Sequence, residues 1–194
     1  MDPDVAAAIL AGGRARRFGG RDKSRLLVDG RSIINRQLEI LQQITNRIFI
    51  VAPDAERFVD LGLPVHPDLV AEAGALGGIY TALETAAAEC VITVACDLPF
   101  LEAPLLAYLV QLSSGHDGAW VRTARGPEPL LACYQRRARI AIKARLDDGH
   151  LKAADLASVL DIAALDSAEL ERFGQPDRLL ANINSPDDYE RFTR

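Results

Sequence analysis

Apolar residues run unbroken from Val5 to Leu10 and stop at Ala11-Gly12-Gly13. A run this short, without alternation, predicts a strand buried on both faces. Residues 32–44 place Ile33, Ile34, Leu38, Leu41 and Ile44 at helical spacing. Residues 48–52 form a second strand and residues 76–88 a helix with Ile79, Leu83 and Ala86 on one side. A third buried strand covers 91–95 and is closed by Cys96-Asp97-Leu98-Pro99. A helix over 104–112 follows, with Pro104 suited to its first turn. Residues 118–123 and 130–134 read as further strands, and 138–146 as a helix ending near Gly149. The polar stretch 166–175 predicts a loop or short surface helix. Ser185-Pro186-Asp187-Asp188 has the signature of a helix start, with Ser185 as N-cap.

Buried strands alternating with amphipathic helices predict an α/β fold: a three-layer α/β/α sandwich around a mostly parallel sheet. The 194 residues suit a single domain spanning 1–194. In such a sheet, ligands bind beyond the carboxyl ends of the strands. Gly12-Gly13 follows the first strand and Asp97 the third, so these are the first places to look for chemistry.

Composition narrows the classes. Hydrophobic residues make up 49% and charged residues 25%, an ordinary globular balance. The net charge of -5 argues against a general nucleic-acid binder, which carries a basic footprint. No apolar stretch is long enough to span a membrane. The acidic start Met1-Asp2-Pro3-Asp4 lacks the basic region of a secretory signal, so the expected location is cytoplasmic. Cys90, Cys96 and Cys133 form no CxxC pair and read as reduced thiols, two of them in or beside apolar runs.

Against this acidic background, six cations (Arg14, Arg16, Arg17, Arg21, Lys23, Arg25) crowd one loop with a single acid, Asp22, and four glycines. Glycine lets backbone N–H groups approach phosphate oxygens, and the cations neutralise a polyphosphate. The competing reading is a basic surface turn. Neither GxxxxGK[ST] nor GxGxxG is present.

The loop Leu10-Ala-Gly-Gly-Arg-Ala-Arg-Arg-Phe-Gly-Gly-Arg-Asp-Lys23 nevertheless resembles the signature loop of nucleotidyltransferases with a Rossmann-like, GT-A-like core. With Asp68, Gly74-Ala-Leu-Gly-Gly78, Cys96-Asp97-Leu-Pro-Phe100 and Asn182-Ile-Asn-Ser-Pro186, the chain is most similar to the MobA family of molybdenum cofactor guanylyltransferases. The resemblance covers nearly the whole length. It implies an N-terminal nucleotide-binding half and a C-terminal acceptor-binding half. Leu10, Ala11, Gly12 and Gly13 would meet GTP; Arg17 and Lys23 would act on its phosphates. Asp68 would lie against the nucleotide, with Gly77 and Gly78 close to base and sugar. Asp97 would hold Mg2+, and Asn182, Asn184 and Lys152 would serve the acceptor side.

The family often has asparagine where Val51 stands, and its Gly-Pro-Leu reads Gly74-Ala75-Leu76. A Gly-x-Arg-[Arg/Lys] pattern is partly kept at Gly149-His150-Leu151-Lys152. The implied reaction is attack by the terminal phosphate of molybdopterin on the α-phosphorus of GTP. The implied partners are those two substrates and other proteins of molybdenum cofactor biosynthesis. A phosphate is already ionised near pH 7, so no essential histidine is expected among His66, His116 and His150. Alternatives are a related transferase using CTP or a sugar-phosphate acceptor, and a non-catalytic nucleotide-binding module.

Asp97 read alone could cap a following helix, and His66 reads as a loop residue. Trp120 fits core or sheet-edge packing better than pterin stacking. Arg136, Arg137, Arg139, Lys143 and Arg145 read first as a solvated helix face, with attraction of an anionic ligand or partner as the functional alternative.

Overall fold

The computed structural model describes residues 4–12, 23–183 and 188–190. Strand β1 (Val5–Leu10) is the third strand of a seven-stranded sheet. It pairs in parallel with β4 (Ile48–Val51) on one side and β6 (Cys90–Ala95) on the other. The short strand β5 (Val65–His66) extends the sheet beyond β4. Beyond β6 come β8 (Gly126–Gln135), β7 (Gly118–Thr123) and β9 (Ile162–Leu165), with β8 antiparallel to both of its neighbours. The hairpin β2 (Leu27–Val28) and β3 (Arg31–Ser32) stands apart.

The two faces of β1 explain its unbroken apolar sequence. Val5, Ala7 and Ile9 pack with α1 (Ile33–Leu41) and α3 (Ala103–Leu112), whereas Ala6, Ala8 and Leu10 pack with α2 (Gly74–Thr85) and α4 (Arg139–Asp147). This is the period-two alternation of a strand covered by helices on both sides. Ser32 caps α1 by accepting from Asn35 N. Pro104 lies in the first turn of α3. The polar stretch after β9 contains α5 (Ser167–Leu170), which opens on an Asp166–Glu169 capping box, and α6 (Pro176–Leu179) follows it.

Trp120 is buried at 2% exposure in the α2/α4 core, and the three cysteines are free thiols. His66, expected in a loop, instead lies in β5, with its ring edge-on to Phe49 at 5.6 Å. Between Trp120 and Val121 the pairing of β7 with β8 shifts register, from Trp120↔Ala132 to Val121↔Glu128. Residues 129–131 of β8 have no partner on β7, while Leu131 pairs with Val94 near the carboxyl end of β6.

Candidate active site

The sheet changes direction of connection at β1, whose neighbours β4 and β6 lie on opposite sides. A crevice at the carboxyl end of such strands is the expected place for a ligand. Three adjoining compartments occupy it.

The first is a small cavity of about 70 Å³ between the end of β1, the end of β4 and the start of α2. Leu10, Gly12, Val51, Asp68 and Gly78 form its walls. Ala11 N donates to Val51 O at 2.8 Å, which carries the β1 chain past the sheet edge to Gly12. Thr81 fixes the segment bearing Asp68: its Oγ1 accepts from Leu69 N and donates to Gly77 O, both at 2.9 Å. Asp68 Oδ1 is buried and has no hydrogen-bond partner among the described residues. Burial pushes the Asp68 carboxyl above its ordinary range. An acceptor left unmatched at a cavity wall is what a ligand with N–H or O–H donors would satisfy.

The second compartment, about 360 Å³, adjoins the first along Ala75 and Leu130. Asp97 and Glu128 lie on its wall. Asp97 follows β6 in a turn and caps no helix, since α3 begins at Ala103 with Glu102 as its N-cap. Burial pushes its carboxyl upward, and the positive charge of Lys23 pulls it back down. Lys23, at the end of the loop Leu10–Lys23, is thus close enough to Asp97 for its charge to be felt there. Asp97 and Glu128 face this compartment together, just beyond the last β6/β8 pair, Val94↔Leu131. The Glu128 carboxyl is raised first by burial, lowered by Arg125 and raised again by Asp97.

A third compartment, about 500 Å³, shares Glu128, Leu180 and Asn182 with the second and opens toward Arg125 and Ser167. Asn182 is held there because Ile183 N donates to Asp97 O at 3.1 Å. Ile183 itself is fully buried beside Val28, Ile33 and Phe100.

The structure thus brings Leu10, Gly12, Asp68 and Gly78 to one cavity, and Asp97 and Asn182 to its neighbour. Ala11 is buried at the edge of the first. Gly77 faces the other way: a Cβ there would stand 2.7 Å from Ala73 Cβ and 3.2 Å from Val70 O, so it serves the packing of α2 rather than the cavity. Lys152 precedes the cavity residues Ala153 and Ala154, but its amino group is exposed and pairs with Asp155 at 3.3 Å. Gly13, Arg17 and Asn184 lie outside the described residues, as do Arg14, Arg16, Arg21, Ser185 and Pro186. Arg25, counted with the basic loop, holds Asp60 and Arg57 O instead. On the basic helix face, Arg137 pairs with Asp117, Arg139 with Glu84 and Lys143 with Asp147. Glu128 was not singled out from sequence; the available signal was a carboxylate between two prolines, Pro127 and Pro129, inside an otherwise apolar strand.

The family model described as the MobA-like NTP transferase domain matches residues 7–163. The chain belongs to that family. It is 33% identical over 95% of its length to a probable molybdenum cofactor guanylyltransferase of Pelotomaculum thermopropionicum, covering 89% of that protein. With the molybdenum cofactor guanylyltransferase of Mesorhizobium japonicum the identity is 34%, covering all of this chain and 97% of the relative. Among solved structures, molybdopterin-guanine dinucleotide biosynthesis protein A from Archaeoglobus fulgidus superposes with a TM-score of 0.82 at 26% identity, covering 97% and 96% of the two chains. As a MobA-like transferase the protein is a nucleotidyltransferase. Among the described residues, no helix is long and apolar enough to cross a membrane.

Proposed function

We propose that this protein transfers GMP from GTP to the terminal phosphate of molybdopterin. A phosphate oxygen of the acceptor attacks the α-phosphorus, the bond to the bridging oxygen of the β-phosphate breaks, and the guanine dinucleotide cofactor and pyrophosphate are released. The reading rests on one observation above all: a cavity with an unmatched carboxylate oxygen adjoins a second compartment lined by Asp97, whose carboxyl feels the charge of Lys23. We assign the hydrogen-bonding edge of the base to the first and the triphosphate to the second.

Asp68 is an acceptor when ionised. Guanine offers two adjacent N–H donors on one edge, which suits such a carboxylate. Gly12 and Gly78 carry no side chain at the cavity wall, so the base approaches the backbone closely. Lys23 and, by family resemblance, Arg17 neutralise the triphosphate. Asn182 borders the compartment that receives the acceptor, and its neighbour Asn184 is assigned the same side.

The donor set suits a divalent ion of the Mg2+ type. Among the described residues no group of three or more His, Cys, Asp or Glu forms a protein cage. A hard cation that keeps water and substrate phosphates as ligands needs only one or two carboxylates. Asp97 would hold it, with Glu128 facing the same space. The ion supplies charge neutralisation at the phosphates. The chain's own residues orient the two polyanions and stabilise the leaving pyrophosphate through fixed positive charge. No histidine lines the three compartments: His66 packs on Phe49, His116 pairs with Asp161 at 2.9 Å, and His150 is exposed.

The test is pyrophosphate release by the purified protein with molybdopterin, Mg2+ and each of the four nucleoside triphosphates. Release with GTP, together with formation of the guanine dinucleotide, is the expected result. Turnover with CTP alone, or nucleotide binding without turnover, would overturn the reading.

A further inference from the structure

The turn that carries Asp97 is held by a side chain from a different layer of the molecule. Gln37, on α1, is 1% exposed. Its Nε2 donates to Ala95 O at 2.8 Å and to Leu98 O at 2.9 Å. These carbonyls belong to the first and last residues of the four-residue turn Ala95–Leu98, with Asp97 between them. The turn's own closing bond, Leu98 N to Ala95 O, is long at 3.4 Å. Both contacts from Gln37 are shorter, so one amide group sets the separation of the two ends.

The setting makes this arrangement hard to explain as packing alone. The buried residues of α1 are Ile33, Ile34, Gln37 and Leu41, so Gln37 occupies the middle of an apolar stripe. Gln37 Oε1 is buried and has no hydrogen-bond partner among the described residues. A flipped amide would set that oxygen against two carbonyl oxygens, so the donor must face the turn. An apolar residue in this place would avoid the unmatched oxygen but would leave Leu98 O without its donor from Gln37. The adjacent Arg36 reinforces the same segment: its Nε donates to Pro99 O at 3.0 Å. On the other side of the turn, Ile183 N donates to Asp97 O at 3.1 Å.

We propose that Gln37 is a positioning residue, whose side-chain amide holds the Ala95–Leu98 turn in the shape that presents the Asp97 carboxylate to a divalent cation. This rests on the reading of Asp97 given above. Groups that orient a metal ligand without touching the metal typically change metal affinity by about 10–100-fold when removed. Gln37 acts one step further back, through the backbone of the turn, and the lower end of that range is expected.

The experiment is Mn2+ binding to the protein–GTP complex without acceptor, followed by electron paramagnetic resonance, in the wild type, Gln37→Met and Asp97→Asn. Methionine keeps the volume and removes both N–H donors. Gln37→Asn, one methylene shorter and unable to reach both carbonyls, serves if the methionine variant does not fold. The expected result is Mn2+ affinity about tenfold weaker in the Gln37 variant, with metal-free GTP affinity changed by less than about twofold. In turnover, the metal concentration for half-saturation rises by the same factor and kcat recovers at high metal. Wild-type Mn2+ affinity in the Gln37 variant, alongside its loss in Asp97→Asn, overturns the proposal while leaving Asp97 in place. Wild-type affinity in both variants overturns the Asp97 assignment and the proposal with it. A fall in kcat with unchanged metal half-saturation assigns Gln37 a purely structural role and also overturns the proposal.

Discussion

Gly78 on α2 faces Leu10 at the end of β1 so closely that a Cβ on the glycine would stand 3.3 Å from Leu10 Cδ1. The same Cβ would lie 3.8 Å from Asp68 Oδ1. Its neighbour Gly77 points instead at Ala73 Cβ, 2.7 Å away, and at the backbone oxygen of Val70. The two glycines are adjacent in sequence and opposite in consequence.

Gly77→Ala should destabilise the protein by about 1–2 kcal/mol, because overpacking against a fixed Cβ outweighs the roughly 1 kcal/mol gained in helix propensity. Gly78→Ala meets only the end of a leucine side chain, which can move, and should leave stability unchanged or slightly higher. It should weaken GTP binding by about tenfold, a cost of about 1.4 kcal/mol. Denaturant unfolding and GTP titration of both variants check the contrast.

Asp68 carries a cost in the ligand-free protein. Burial raises its carboxyl above the ordinary 3.8, so the folded state holds the proton more tightly than the unfolded state. Stability therefore falls as pH rises from below 3.8 through the raised folded value. Asp68→Asn should be more stable than wild type at neutral pH, with the difference closing in acid, and should bind GTP more weakly. Thermal unfolding across pH, with and without GTP, reads both effects.

Much of this site can be read in the sequence, and the unread part has a common cause. The strands at 5–10, 48–51 and 90–95 are apolar but for Thr93 because helices cover both faces, and that pattern survives translation into one dimension. Asp97 and Gly12 stand out because they follow such strands. The strand at 65–66 is two residues long, and the four-residue apolar run 162–165 is too short and too alanine-rich to be told from a helix segment by pattern alone. Strand 126–135 opens with Gly126, Pro127, Glu128 and Pro129, and its irregular register hides both its length and the place of Glu128 in the compartment of Asp97. Gln37 meets the Asp97 turn across some sixty residues of chain, and only the packing of α1 on the sheet brings them together. The single local trace is a polar residue within an apolar helical stripe.

At the end of the sheet away from the site, Asp117 ties β7 in place. Arg137 Nε donates to its Oδ1 at 2.8 Å, and Asp161 N donates to Oδ2 at 3.1 Å. The hydrogen bond from Arg137 holds the Asp117 carboxyl below its ordinary 3.8, against a smaller opposing effect of burial. Its contribution to stability is complete above 3.8 and is lost as pH falls through the lowered folded value. Asp117→Asn should cost about 1 kcal/mol at neutral pH, discounted because the pair is partly exposed. Wild type and variant should converge in acid, and unfolding curves at pH 7 and pH 2.5 test this.

In the proposed reading, the base edge and the triphosphate of one nucleotide occupy adjoining compartments, with Lys23 serving only the phosphates. The most direct test of that reading is calorimetric binding of GTP and of guanosine to Lys23→Ala. Losing a charged hydrogen bond to phosphate is worth about 1.5–3 kcal/mol, so GTP should bind about 10–100-fold more weakly while guanosine binding stays unchanged. Equal weakening of both ligands would contradict the account.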